Sequence, residues 1–132
     1  MKTRNTLLGI IGAVLLSILA VILYQRATNK KLFNDKKNEL EVGETASILV
    51  YETPSTGFLW HCEIADDSIL MIESEEYRKR NPFNNLPGGD AREHRIKFKA
   101  LKPGETVITL TEKRGQEEIE EIREYIVVVI AD

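Results

Sequence analysis

The chain has few of the features that stabilise or identify a protein by themselves. It contains a single cysteine among 132 residues, which excludes an internal disulfide, so its folded part must be stabilised by a hydrophobic core. Its 18 basic residues are outnumbered by 21 acidic ones and are scattered along the chain, a balance that gives no support for nucleic-acid binding. The sequence contains no internal repeat and no low-complexity tract, which excludes a repeat architecture.

Charged residues are also absent from the stretch Thr6–Tyr24, which follows the basic head Met1–Asn5. About 20 apolar residues suffice for a helix to span a bilayer. A secretory signal peptide has a shorter apolar core followed by a small-residue cleavage site. The nearest such site, Ile18–Ala20, lies inside the apolar run. We therefore predict that residues 1–24 are an uncleaved membrane anchor, with a cleaved signal segment as the alternative.

The positive charges around this segment do not agree on its orientation. Lys2, Arg4 and the α-amino group favour an internal N-terminus, whereas the more numerous lysines and arginine after the segment favour the reverse. Residues 25–38 are polar, lysine-rich and without periodicity. We predict that they form a solvated juxtamembrane linker, with contact to anionic lipid headgroups as the alternative.

The remaining residues, 39–132, have the size of one immunoglobulin-type domain, which is roughly 100 residues. Alternating apolar and polar residues, separated by turn residues, predict the strands Leu40–Val42, Thr45–Tyr51, Phe58–Ile64, Ile69–Glu73, Glu93–Ala100, Thr106–Glu112 and Arg123–Ile130. The spacing of Ile119, Ile122 and Ile126 would suit a helical turn over Glu117–Arg123, but the neighbouring β-branched residues favour a strand. We predict an all-β fold, an immunoglobulin-like β-sandwich preceded by one N-terminal transmembrane helix.

The residues that could carry chemistry do not form a plausible reactive group. His61 and Cys62 are adjacent, but successive side chains of a strand point to opposite faces, so they do not form a thiol–imidazole pair. No two of His61, Cys62 and His94 have the spacing of metal ligands. The carboxylates of Glu117–Glu121 are typical of a solvated face. We predict no catalytic residue, no metal, no cofactor and no enzymatic activity.

The stretch Thr53–Phe58 lies between two predicted strands and has restricted backbone freedom. Pro54 fixes its own φ and lacks an N–H, and Gly57 allows a tight reversal, so the stretch should be a short, stiff loop. An ordinary connecting loop would show the same features. However, the run from Thr53 to Trp60, Thr-Pro-Ser-Thr-Gly-Phe-Leu-Trp, resembles the Asn-Pro-Thr-Thr-Gly-aromatic-x-Trp signature of the chagasin-like inhibitors of papain-type cysteine peptidases.

Two further loops of that family have counterparts here, with departures. Leu86-Pro87-Gly88-Gly89 lies within a long loop, about Glu76–Arg92, where the family has Gly-x-Gly-Gly before a strand. Arg114-Gly115-Gln116 stands where the family has Arg-Pro-Trp, so the arginine is retained and the aromatic residue is not. The resemblance implies that the residues contacting the peptidase are Thr53, Pro54, Ser55, Thr56, Gly57, Phe58, Leu86, Pro87, Gly88, Gly89, Arg114 and Gly115.

The resemblance further implies a reversible protein inhibitor whose three loops occlude the active-site cleft of a papain-like cysteine peptidase. The alternative is a membrane-tethered immunoglobulin-like binding or adhesion module without inhibitory activity, since a fold does not determine a function. We expect a monomer held in the cell membrane by one span, with the C-terminal domain extracytoplasmic, because export of the domain agrees with the resemblance. Secretion after cleavage is the alternative localisation.

Overall fold

The computed structural model describes residues 2–81 and 89–131. One helix precedes eight strands: α1 Lys2–Thr28, β1 Asn29–Lys31, β2 Asn38–Glu41, β3 Thr45–Glu52, β4 Leu59–Ile64, β5 Leu70–Lys79, β6 Arg92–Ala100, β7 Gly104–Arg114 and β8 Glu118–Ile130. A short 3-10 helix, Pro54–Thr56, connects β3 to β4. By length and composition, Lys2–Tyr24 could cross a membrane. The prediction of an all-β domain after an N-terminal apolar helix is confirmed.

The strands form two four-stranded sheets. The first sheet has the order β1-β3-β6-β5 and the second has the order β2-β8-β7-β4. Neighbouring strands are antiparallel except β1 with β3 and β2 with β8, which are parallel pairs at one edge of each sheet. Among strands that follow one another in the chain, β5 with β6 and β7 with β8 are paired within one sheet, whereas the other connections cross from one sheet to the other.

One hydrophobic core lies between the inner faces of the sheets. The first sheet contributes Ala46, Ile48, Val50, Leu70, Ile96, Phe98 and Ala100, and the second contributes Leu40, Trp60, Ile108, Leu110, Tyr125, Val127 and Val129. Along β3, β6 and β7 these core residues alternate with less buried ones, as the two-residue period of a strand requires. Phe98 is completely buried, and burying such a side chain stabilises the fold by about 1.5–3 kcal/mol.

The segment after the helix is not the solvated linker that its polarity predicted. Asn29–Lys31 pairs with β3, and Leu32 is only 4% exposed within the core. The buried side-chain amide of Asn38 donates to the carbonyls of Phe33 at 2.8 Å and Ile126 at 3.0 Å. The three-residue edge strand β1 is held by backbone hydrogen bonds. Because such bonds do not depend on the side chains, the sequence shows no hydrophobic periodicity there.

Three strands extend further than predicted. β5 continues to Lys79, so the second loop begins at Arg80 instead of Glu76, and β7 continues to Arg114. β8 begins at Glu118, which confirms the preference for strand over helix there. Glu112 pairs with Glu121 whereas Lys113 pairs with Ile119, so one extra residue of β8 bulges out. The bulge brings Ile119 and Ile122 to the same outer face, which explains their helix-like spacing.

The strand directions give the sandwich two distinct ends. We call the loop end the one that carries residues 53–58 between β3 and β4, the described residues 80–81 and 89–91 between β5 and β6, and residues 115–117 between β7 and β8. We call the base the opposite end, which carries the turns 42–44, 65–69 and 101–103. The three loops predicted from the sequence are thus at the same end, and α1 joins the sandwich at the base, where Asn29 pairs with Thr45.

Candidate functional site

The first loop is held in one conformation by hydrogen bonds within itself. Pro54 begins the 3-10 helix, where its missing N–H removes no hydrogen bond. The N–H of Thr56 donates to the carbonyl of Thr53 at 3.0 Å, and that of Gly57 donates to Pro54 at 2.9 Å. Gly57 ends the helix with a φ of +81°, a left-handed conformation that favours glycine. The loop is short, as predicted, and these hydrogen bonds hold its backbone.

The hydroxyl group of Thr56 adds two further hydrogen bonds to this loop. It donates to the carbonyl of Thr53 at 2.7 Å and accepts the N–H of Phe58 at 3.2 Å. Ser55, Thr56 and Gly57 are nonetheless exposed, whereas Thr53, Pro54 and Phe58 are half-buried. The outer part of the loop is therefore accessible to a partner although its backbone is tightly held.

Asp90 connects the second loop to the first. Its carboxylate accepts the backbone N–H of Ser55 at 2.7 Å and the hydroxyl of Ser55 at 2.8 Å. The hydroxyl hydrogen bond is the main reason why the pKa of Asp90 lies below its usual range. Gly89 lies in the turn just before Asp90, whereas Leu86, Pro87 and Gly88 lie outside the described residues. Asp90 was missed in the sequence, where only its position next to the glycine pair could have indicated it.

Arg114 connects the third loop to the first. Its guanidinium lies 4.8 Å from the ring centre of Phe58, and its Nη1 donates to the carbonyl of Thr56 at 3.4 Å. The same guanidinium donates through Nε to Glu118 at 3.0 Å, across the β7–β8 turn. Gly115 is exposed in that turn with a φ of +63°. Arg114 therefore lies against the first loop.

A buried carboxylate supports the base of the first loop. Glu52 is 5% exposed, and it accepts the backbone N–H of Trp60 and the Nε of Arg92, each at 2.9 Å. The indole N–H of Trp60 donates to the carbonyl of Tyr51 at 3.0 Å. These bonds join the two strands that flank the first loop. Sequence analysis missed Glu52 and Arg92, because a charged pair at the end of two strands has no distinctive pattern.

The side chains around the loop end form an open cleft of about 560 Å³. Its lining includes Tyr51 and Arg80, and, from the second sheet, Glu112 and Glu120. Burial is the main cause that raises the pKa of Glu112, and the carboxylates of Glu120 and Glu121 add to it. Both cations and carboxylates thus line the cleft, which is not a region of one charge.

His61 and Cys62 lie next to each other on β4 but differ in burial. His61 is exposed and Cys62 packs partly against the core, as expected for successive residues of one strand. Burial is the main factor that raises the pKa of Cys62 to about 12, so the thiol is protonated at neutral pH. Within residues 2–81 and 89–131, no group of three or more His, Cys, Asp or Glu side chains is arranged to hold a metal ion.

Comparison with known families and structures gives consistent results. Residues 39–129 match the profile described as "Chagasin family peptidase inhibitor I42". A crystal structure of the cysteine protease inhibitor EhICP2 from Entamoeba histolytica is similar, with a TM-score of 0.64, 22% identity, and coverage of 77% of this chain and 96% of that one. The solution structure of Amebosin has a TM-score of 0.57, 20% identity, and coverage of 79% and 96% respectively. These likenesses show the fold, and no curated protein matches the chain.

Proposed function

Because this chain belongs to the chagasin family of peptidase inhibitors, we propose that it is a reversible inhibitor of papain-like cysteine peptidases. In this proposal the loop end enters the active-site cleft of the peptidase and excludes the substrate. The two sheets would form an immunoglobulin-like sandwich that serves as a rigid support. The inhibitor supplies no catalytic residue and needs no cofactor.

The observation that carries the proposal is that the three loops are joined to one another. The first loop is bonded to the second through Ser55 and Asp90, and to the third through Thr56 and Arg114. A partner that binds all three loops therefore meets one surface instead of three independent segments. Because the first loop and Arg114 are held in place before binding, less conformational entropy would be lost on association, and affinity would rise accordingly.

The first loop is the part that would lie nearest to the catalytic cysteine and histidine of the peptidase. Thr56 and Gly57 are exposed, as is Ser55, and the backbone here forms a 3-10 helix that ends at a left-handed glycine instead of an extended strand. Peptidases attack a carbonyl that is held in a precise geometry relative to the nucleophile. A helical turn at this point would fill the cleft without presenting such a carbonyl, so the loop would remain uncut.

The other two loops would contact the walls of the cleft. In the proposal Leu86, Pro87, Gly88 and Gly89 lie along one wall with their backbone, as an added strand does. Arg114 and Gly115 lie against the other wall. Arg114 is half exposed and already oriented by Glu118, so little side-chain freedom would be lost when it binds.

We also propose that α1 anchors the inhibitor in the cell membrane as a single span, with the sandwich outside the cytoplasm. The supporting observations are the length and the uncharged composition of Lys2–Tyr24, which is long enough for a bilayer. Secretion after removal of this segment remains the alternative. Fractionation of cells that express the full chain, followed by N-terminal sequencing, distinguishes the two.

Inhibition is tested with the full chain in detergent micelles, by titrating papain and following hydrolysis of a fluorogenic peptide. We expect a reversible Ki and an uncut inhibitor after prolonged incubation. Thr56→Trp should raise Ki at least tenfold, because a larger side chain at the exposed turn prevents entry into the cleft. Lys102→Trp, which introduces the same side chain at an exposed position of the base, should leave Ki unchanged. A Ki that is the same for both variants would refute the assignment of the first loop.

A further inference from the structure

The way in which the chain passes from the helix to the sandwich restricts how the loops are presented. α1 ends at Thr28 and β1 begins at Asn29, so no residue lies between the helix and the sheet. β1 is paired with β3 from its first residue, Asn29 with Thr45. The sandwich is therefore attached to the helix without a flexible linker, in contrast to the expectation from composition.

Further contacts hold this first segment against the sandwich. The N–H of Leu32 donates to the carbonyl of Ser47 at 3.2 Å, and its side chain is buried in the core. Asn38 is buried, and its side chain makes two hydrogen bonds with the backbone of Phe33. The side-chain oxygen of Asn38 accepts the N–H of Phe33 at 2.8 Å, and the side-chain amide of Asn38 donates to the carbonyl of Phe33 at 2.8 Å. Releasing the segment would expose Leu32 and break both hydrogen bonds between Asn38 and Phe33, which is unfavourable.

The attachment is at the base, and the loops are at the other end of the same strand. β3 begins at Thr45, beside the end of α1, and finishes at Glu52, directly before the first loop. Its eight residues, at about 3.3 Å each, span about 26 Å. β3 alone thus separates the point of attachment from the first loop by most of the length of the sandwich.

The length of the helix beyond its apolar part determines where the base lies. The apolar stretch ends at Tyr24, and the helix continues for four residues to Thr28. Four helical residues rise about 6 Å, which matches the thickness of roughly 5–8 Å for the headgroup layer of one leaflet. If the helix spans the bilayer, the base lies at the outer limit of the headgroups.

We propose that the anchored inhibitor stands on the membrane by its base and presents its loop end up to about 25 Å away from the headgroups, facing the aqueous phase. This inference depends on the anchoring and the inhibition proposed above. The partner it fits is a papain-like peptidase that diffuses in solution and approaches from the aqueous side. A peptidase held in the same membrane, with its cleft close to the headgroups, would not reach the loops.

Energy transfer to the membrane surface tests the orientation. The full chain carries a donor dye at Lys102→Cys in the base or at Gln116→Cys at the loop end, and the vesicles contain lipids with an acceptor dye on the headgroup. Cys62 is retained because its half-buried thiol reacts slowly, and the intact mass verifies single labelling. We expect efficient transfer from the base and several-fold less from the loop end, whereas equal transfer from the two positions would overturn the proposal.

A chain with 15 Gly and Ser residues inserted between Thr28 and Asn29 is the matched control, because it leaves the sandwich unchanged. Such a linker spans about 20 Å on average, which lets the domain rotate. We expect the two donor positions to give similar transfer in this chain. If neither chain floats with vesicles, the anchor is refuted and the orientation with it.

Inhibition of soluble papain by the vesicle-bound chains tests the partner. We expect the same Ki for the native chain and for the chain with the inserted linker, because the loop end is already clear of the membrane. A Ki that falls tenfold or more on insertion would show that the membrane obstructs the loops, and would overturn the proposal. If neither chain inhibits papain, the proposed inhibition fails, while energy transfer still decides the orientation.

Discussion

The conformation of Gly57 provides the most direct test of whether a preformed first loop is needed for inhibition. Gly57 has a φ of +81°, so Gly57→Ala places a β-carbon in a left-handed conformation, which costs about 1–2 kcal/mol. The new β-carbon would also lie 2.9 Å from Cδ of Arg114, well inside a normal carbon–carbon contact of about 3.5–4.0 Å. This clash must be relieved by a shift of the first loop or of the Arg114 side chain, and either shift weakens the contacts of Arg114 with Thr56 and Phe58.

The same cost can be imposed at the opposite end of the sandwich. Gly43 lies in a turn of the base with a φ of +87°, and nothing lies within 4 Å of the position that its β-carbon would occupy. Gly43→Ala is therefore a matched control, with a similar backbone strain and no effect on the loop end. Each substitution should lower the melting temperature, by about 4–8 °C for each kcal/mol in a domain of this size.

Only Gly57→Ala should affect inhibition. If the strain is relieved by a change of the loop, binding must restore the original conformation, and about 1–2 kcal/mol raises Ki about fivefold to thirtyfold. The assay is a Ki determination with papain beside a thermal melt of each full-length variant. If Gly57→Ala and Gly43→Ala gave the same Ki as the native chain, the reasoning that a preformed first loop determines affinity would be refuted.

Two further predictions concern buried groups. Arg92→Met leaves the buried carboxylate of Glu52 without the arginine and should reduce the free energy of unfolding by about 1.5–3 kcal/mol in a denaturant titration. The control Lys97→Met breaks only the partly exposed ion pair with Glu73 and should reduce this free energy by less than about 1 kcal/mol. Equal reductions for the two variants would contradict the role of Glu52. Cys62 should react with iodoacetamide at pH 8 about 1000-fold more slowly in the native chain than in urea, because its pKa rises from 9.0 to about 12, whereas equal rates would show an accessible thiolate. Since the native thiol keeps its proton up to a higher pH than the unfolded one, this group should destabilise the fold as the pH rises above 9.

Much of the sheet structure could be predicted because the relevant signals are local. In β6 the inward residues Ile96, Phe98 and Ala100 alternate with charged residues, so the strand and its buried face follow from the two-residue period. The stiffness of the first loop likewise follows from Pro54 and Gly57, whose backbone preferences do not depend on the rest of the fold.

The prediction failed where the conformation depends on pairing with a distant strand. Asn29–Lys31 has no apolar pattern, and it becomes a strand only because the edge of β3 offers unpaired backbone groups. The helix-like spacing of Ile119 and Ile122 was ambiguous for a similar reason. A bulge in β8 turns both isoleucines to one face, and this bulge lies opposite Glu112 and Lys113 of β7.

By itself the sequence determined an apolar N-terminal helix, a β-rich domain and a stiff first loop, because hydrophobic period, charge and the φ preferences of proline and glycine act over a few residues. Only the tertiary structure decided that the three loops are joined. Ser55 meets Asp90 across 35 positions, and Thr56 meets Arg114 across 58. Such contacts form only after two sheets have paired around a common core, so no local pattern encodes them. The same pairing places α1 at the base, at the end of the sandwich opposite the loops.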